Sequence, residues 1–483
     1  MDLSSLAFIF LFLPVFLLLY LVATPKFRFP ILAVASILFL AWGQLIAVWW
    51  LGSLVIGTYL FARAISVSKE QGRDADRRLW LGVMILIAVL AFFKILVDYR
   101  AGGLPWFHIP SRFRLTVDGL AVPIGISYLT FQAISYLVDV WHGNTPVEKN
   151  LVRLATYLLF FPKIISGPLM RFKPFKEQLD NLAPTTEDTA AGFRRVFAGF
   201  IKRILLANQL GLVANAVFNL PTPNIEPRFA WLALIAYTLQ IYFDFSGYTD
   251  MALGLAQMIG MRLPENFNFP YLAESISDFW RRWHITLATW FREYVFFPLE
   301  RRRFRWAGQQ INILIVFLLT GLWHGFQTTF ILWGLLHGAA IALESAGLGR
   351  RLKQIWRPLR HIYTLTIVGL GWVFFRSTSL DFAFGFLGRL AGNVSGLTPL
   401  PFSQTTPLPF IEPSFVLALA FGVIFSLPLT SVWRHLRAAG EERRPASFFA
   451  FQIVEDAFLI LLFILGVASV VSSGFTPNIY AKF

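Results

Sequence analysis

Hydrophobic residues in this chain run in blocks separated by short polar or Gly- and Pro-rich stretches. The blocks cover residues 5–23, 30–48, 50–66, 79–97, 117–138, 151–167, 192–218, 229–260, 311–345, 361–376, 380–392, 415–433 and 449–472. Crossing a bilayer as a helix takes about 20 mainly apolar residues. The pattern therefore predicts an all-α integral membrane protein, a single polytopic domain over residues 1–483. It would be a bundle of roughly ten to twelve transmembrane helices with re-entrant and amphipathic pieces. The first block, SSLAFIFLFLPVFLLLYLVA, follows Met1 and Asp2 where a signal peptide would carry basic residues, and no small-residue cleavage site ends it. It reads as a retained helix. VPIGISYLTFQ (122–132) and FFPKIISGPLMRF (160–172) are too rich in Gly and Pro to span cleanly. Irregular backbone at membrane depth must be buried in protein or line a cavity, so these read as broken or re-entrant pieces of a hollow bundle.

Composition sharpens this picture. Of 483 residues 56% are hydrophobic and 14% charged, against about 25% charged in soluble domains. The chain has no cysteine, which excludes disulfides, thiolate metal sites and a cysteine nucleophile. Net charge is +15, but its placement matters more than its sum. Basic residues cluster at 63–78, 281–305, 350–360 and 434–444, which assigns those segments to the cytoplasmic side. Most of these arginines read as topology signals and anionic-lipid contacts, and nucleic acid is not an expected partner. The Pro-rich stretch 395–413 lacks basic residues and fits an extracytoplasmic loop.

Two blocks carry candidate chemistry. In SISDFWRRWHITLATWFREYVFFPLERRR (275–303), Ser275 and Asp278 have capping-box spacing and Pro298 closes the segment. As one helix it is amphipathic and interfacial. Phe279, Trp283, Leu287, Trp290 and Tyr294 form the apolar stripe, opposite Arg282, Thr286, Thr289, Arg292 and Glu293. His284 falls at the edge of that stripe. Periodicity alone reads it as an interfacial histidine paired with a backbone carbonyl, although it could point inward while Arg281 and Arg282 face phosphates or headgroups.

The second block is TGLWHGFQTTFILWGLLHG (320–338), in a run from Gln309 to Glu344 without one charged residue between them. Desolvation should keep His324 and His337 neutral, and a neutral imidazole in a dry site can act as a general base. An ionisable group at membrane depth is a functional candidate by default. His337, thirteen residues on and so on another face of a continuous helix, reads as a packing residue. Gly321 and Gly325 flank His324 and permit close backbone approach. A third feature, LQIYFDFSGYTDMALG (239–254), sets Asp244 and Asp250 in an apolar span with Ser246 and Gly247 between them, where a helix could open. Either carboxylate could bind an arginine from a neighbouring helix. Together, near Tyr242, Tyr248 and Thr249, they suggest a polar lining.

The combination of FDFSGYTDMALGLA, LPENFNFPYLAESISDFWRRWHITLATWFREYVFFPL and LLTGLWHGFQTTFILWGLLHG resembles the membrane-bound O-acyltransferase family, within it the bacterial branch that O-acetylates alginate and other polysaccharides. FIFLFLPVFLLLY, PIGISYLTFQAISYLVDVWHG and LLFFPKIISGPLMRF are similar as well, so the likeness covers roughly residues 5–380, with a motif-bearing core at about 115–380. The resemblance implies a multi-helix bundle around a central tunnel, with functional histidines at His324 of the WHG motif and His284 of the WRRWH motif. It also implies acyl transfer from an acyl-CoA or acyl carrier on the cytoplasmic side to a hydroxyl. The segment EYVFFPLERRR departs from the family's usual DYLYIPLGGNR, with Glu293 in place of Asp and no glycine pair at 299–303.

On this reading His324 is the general base, His284 orients or assists by polarising the thioester carbonyl, and an acetyl-His324 intermediate is conceivable. Arg281, Arg282, Trp323, Asp244 and Asp250 are the candidate donor- or substrate-binding residues. No metal and no tightly bound cofactor is expected, acetyl-CoA being a donor substrate. The expected setting is the bacterial inner membrane, with lipid, SGNH-type acetyltransferases and polysaccharide export machinery as partners. A transporter of acyl donors, or a scaffold without chemistry, would use the same hollow.

Overall fold

The computed structural model describes residues 1–100, 102, 120–301, 308–398, 411–429 and 445–474. Every regular element among them is helical. In chain order, after a π-turn at Phe8–Phe12, the helices are α1 (Leu13–Val22), α2 (Pro25–Ala41), α3 (Leu45–Glu70), α4 (Ala75–Arg100), α5 (Ile126–His142), α6 (Leu151–Leu159), α7 (Phe172–Leu179), α8 (Thr186–Ile201) and α9 (Asn208–Phe218). There follow α10 (Pro227–Met258), α11 (Ile276–Arg282), α12 (Ile285–Phe291), α13 (Phe297–Arg301), α14 (Gln309–His324), α15 (Thr328–Leu343), α16 (Gly349–Leu352), α17 (Arg357–Arg376), α18 (Leu380–Leu390), α19 (Pro413–Phe425) and α20 (Pro445–Ser473). Six described helices are long and apolar enough to cross a membrane: Leu45–Glu70, Ala75–Arg100, Thr186–Phe218, Pro227–Met258, Thr328–Leu352 and Phe451–Ser472. Three apolar helices, Phe8–Val22, Gln309–His324 and Pro413–Phe425, are shorter. Much of the Pro-rich stretch 395–413 and the basic cluster 434–444 lie outside the described residues.

The chain packs as two compact units. The first holds Met1–Val196 and Tyr248–Glu265. Here Phe160–Met170 carries no regular helix and is buried throughout, the condition under which irregular backbone is tolerated at membrane depth. Residues 122–132 begin irregular and turn helical at Ile126. Asp250 belongs to this unit and receives Nε and Nη2 of Arg195 at 3.1 and 3.0 Å, while Arg195 also grips Glu265 at 2.7 Å.

The second unit holds Phe197–Gly247 and Asn266–Ile479 and carries both motif histidines. Its centre is the hairpin of α14 and α15. The apolar block 311–345 is therefore two helices and not one, broken at Gly325–Gln327. Glycine makes the hairpin close: a Cβ on Gly334 would sit 2.3 Å from the Phe317 carbonyl oxygen, and one on Gly321 2.5 Å from that of Phe330. Neither helix could carry a larger side chain there without separating.

Candidate active site

The segment 275–303 also departs from the single amphipathic helix that its periodicity predicts. Ser275 caps α11, its Oγ accepting from the Asp278 amide at 3.0 Å, as its spacing predicted. The helix then ends at Arg282. Trp283 is extended and His284 takes the left-handed conformation, φ 45° and ψ 52°, before α12 starts at Ile285. A non-glycine residue there costs about 1–3 kcal/mol and persists only where its surroundings impose it. Asn266 supplies that imposition. Its backbone oxygen accepts from the Ile285 amide at 3.0 Å. Its Oδ1 meets the Thr286 amide at 3.1 Å, Thr286 Oγ1 at 3.0 Å and His284 Nδ1 at 3.1 Å. Thr286, placed on the polar face by periodicity, is buried as a result.

His284 is 2% exposed, with the Phe245 ring edge-on at 4.7 Å. Its partner is a side chain, not the backbone carbonyl expected of an interfacial histidine. Burial lowers its pKa to about 3, so the ring is neutral at physiological pH. Trp323 lies beside it at 6.4 Å and beside His324 at 4.4 Å, centroid to centroid. The two motif imidazoles are thus no more than about 11 Å apart. His324, the last residue of α14, is buried with Trp333 edge-on at 5.0 Å and Phe375 at 4.8 Å.

Trp333 in turn touches His337 at 5.3 Å. His337 is fully buried, stacked on Phe279 at 6.1 Å, and its Nδ1 accepts from Trp280 Nε1 at 3.3 Å. Imidazoles and indoles thus alternate through the unit: His284, Trp323, His324, Trp333, His337. Trp333 was missed by sequence reasoning, although its spacing four residues before His337 on α15 was an available signal. Trp280, which helical spacing sets one turn before His284, contacts His337 instead because α11 ends at Arg282.

Glu344 anchors α11 to the end of α15. Its carboxylate accepts from the Ile276 and Ser277 amides at 2.7 and 2.9 Å, and from the hydroxyls of Ser277 at 2.5 Å and Tyr363 at 3.2 Å. Between these elements lies a cavity of about 400 Å³. Arg281 and Arg292 line it together with Trp280, Phe291, Phe317 and Thr320, and Thr320 is one turn before His324. Arg281 is exposed and only 3.3 Å from Asp278 at its closest, while Arg282 is held by Asp278 at 3.0 Å and reaches the Asn268 carbonyl at 3.4 Å.

The two aspartates are each held by an arginine. Asp244 pairs with fully buried Arg203 at 3.1 Å, and Asp250 with Arg195. Of the two readings the sequence allowed, an arginine from another helix is the one observed for each. Nor does α10 open between them. A Cβ on Gly247 would lie 2.6 Å from the Gly199 carbonyl oxygen, so that glycine serves helix contact. Among the described residues there is no group of three or more His, Asp or Glu that could hold a metal.

Comparison with known proteins places these residues in context. Residues 145–353, which include both motif histidines, match the model of "MBOAT, membrane-bound O-acyltransferase family". The chain is 35% identical over 497 residues to the protein named "Probable alginate O-acetylase AlgI" of Pseudomonas putida, covering 100% of both chains. It is 32% identical to the peptidoglycan O-acetyltransferase of Helicobacter pylori, over 80% of this chain and 79% of that one. It is also 32% identical to the teichoic acid D-alanyltransferase of Bacillus subtilis, over 51% and 64% respectively.

Proposed function

This chain belongs to the membrane-bound O-acyltransferase family and is a multi-pass membrane acyltransferase; on that premise we propose that it takes an acetyl group from acetyl-CoA on the cytoplasmic side and delivers it for O-acetylation of an exported polysaccharide such as alginate. The observation that carries the reading is the pair His284 and His324, both buried and flanking Trp323, in a chain with no cysteine. His324 acts as general base. It takes the proton of an acceptor hydroxyl as the oxygen attacks the thioester carbonyl. The carbon–sulfur bond breaks and the thiolate leaves, to be protonated in turn. Such a base contributes about 10²- to 10⁴-fold in rate. The Arg281 and Arg292 cavity suits the donor: guanidinium groups meet phosphates at its mouth, and apolar walls lead along α14 towards Thr320.

The setting that goes with this chemistry is a bacterial inner membrane. An SGNH-type acetyltransferase and the export machinery would receive the acetyl group beyond it. A second acceptor, peptidoglycan, is favoured by the similarity to the Helicobacter pylori enzyme over 79% of its length. The test is the O-acetyl content of surface glycans in a deletion strain complemented with the wild-type chain or with His324→Ala. The reading expects restoration by the wild type alone, and restoration by the variant would overturn it. Which glycan regains acetyl decides the acceptor.

A further inference from the structure

The clamp on His284 decides what that imidazole can do. Three groups converge on Asn266 Oδ1, and one of them is the Thr286 backbone N–H, which can only donate. The atom facing it is therefore the amide oxygen, and an amide oxygen only accepts. His284 Nδ1, 3.1 Å from the same atom, must then carry a hydrogen and donate it. In a neutral ring the other nitrogen, Nε2, is left with its lone pair.

Asn266 is a costly way to hold a loop. It is fully buried, and its Nδ2 group has no hydrogen-bond partner among the described residues. An unsatisfied buried donor costs about 1–3 kcal/mol. The left-handed backbone at His284 adds a further cost at the same point. Both are concentrated on one contact, the one that sets which ring nitrogen bears the proton.

We propose that Asn266 is a positioning residue that locks His284 in its Nδ1–H tautomer, so that Nε2 serves as an acceptor for an O–H or N–H group of the substrates. This rests on the acyl-transfer chemistry proposed above and corrects one part of the expected mechanism. A ring without a proton on Nε2 cannot polarise the thioester carbonyl from that atom; it can only receive a hydrogen bond there. Loss of a group that fixes a tautomer removes rate, and because Asn266 Oδ1 also holds the Thr286 amide and hydroxyl, the test needs a variant that keeps those contacts. The titratable groups on the elements around the ring are Asp278, Arg281 and Arg282 on α11, Asp244 next to Phe245 in sequence with its partner Arg203, Arg292 and Glu293 beyond α12, and His324 beside Trp323.

The test uses the full chain in detergent with ¹⁵N-labelled histidine, the His284 signals being identified by their loss in His284→Gln. The wild type is expected to show a protonated Nδ1 and an unprotonated Nε2. Asn266→Leu is expected to lose the defined tautomer and to lower kcat for acetyl-CoA-dependent transfer about 10²-fold, with KM little changed. Asn266→Asp keeps an acceptor for Nδ1–H and for the Thr286 amide and hydroxyl, so it retains most of kcat at high pH. Its carboxylate favours the imidazolium, so it loses activity on acidification where the wild type does not. A protonated Nε2 in the wild type overturns the proposal. So does wild-type kcat in Asn266→Leu, or an Asn266→Asp variant no better than Asn266→Leu at high pH. A wild-type chain that transfers nothing from a thioester defeats the donor chemistry instead, and the ring signature still decides the clamp.

Discussion

His284 and His337 are both buried imidazoles in one packed unit, and each has a side-chain neighbour on Nδ1 that sets the proton position of the ring. The neighbours act in opposite senses. Trp280 donates to His337 Nδ1, which makes Nε2 the nitrogen that bears hydrogen. Asn266 accepts from His284 Nδ1, which leaves Nε2 with the lone pair. His337 rests on a regular helix among Phe279, Trp280 and Trp333. His284 sits on strained backbone between two helices. Burial alone does not tell the two histidines apart. The direction of the hydrogen bond and the backbone that carries the ring do.

The largest expected consequence is in turnover. His284→Ala should lower kcat about 10²-fold or more with the melting temperature little changed, whereas His337→Phe should leave kcat within a few-fold. Equal losses in steady-state acetyl transfer would erase the distinction. Next in size is the stability of the aromatic box. A Cβ on Gly371 would lie 2.7 Å from His337 Nε2, so Gly371→Ala should destabilise the fold by about 1–3 kcal/mol in a thermal melt. His337→Phe leaves the Trp280 N–H without its acceptor and should cost a similar amount, about 1–3 kcal/mol.

A pH-dependent effect follows from the His284 pKa, lowered to about 3 by burial. Below the ordinary value of about 6.5 the unfolded chain takes up a proton that the folded ring refuses. Stability contributed by this group is therefore complete above pH 6.5 and is lost as pH falls towards 3, by about 1.4 kcal/mol per pH unit. Melting temperature measured against pH should show that slope in the wild type and a shallower one in His284→Gln.

Much of this was legible in the chain. Apolar blocks gave the helices, Ser275 gave its cap, and the uncharged run from 309 to 344 gave His324 as a buried candidate. The resemblance in the WHG and WRRWH motifs pointed to the histidines that Trp323 brings together. What was not legible has one cause, contacts distant in sequence. Periodicity extended one helix through His284 because the group that breaks it, Asn266, is 18 residues upstream in a loop. The block 311–345 read as one span because its break at Gly325–Gln327 is held by glycines that meet across a hairpin. Asp244 and Asp250 suggested a lining because their arginines lie 41 and 55 residues away.

The central claim is that His324 performs the chemistry and does not merely fill the core. Acetyl transfer from radiolabelled acetyl-CoA to a glycan acceptor by purified wild type and His324→Ala, with melting curves taken on the same samples, tests it most directly. The account predicts a loss of about 10²-fold or more in a variant that melts as the wild type does. Transfer at the wild-type rate by folded His324→Ala would contradict it.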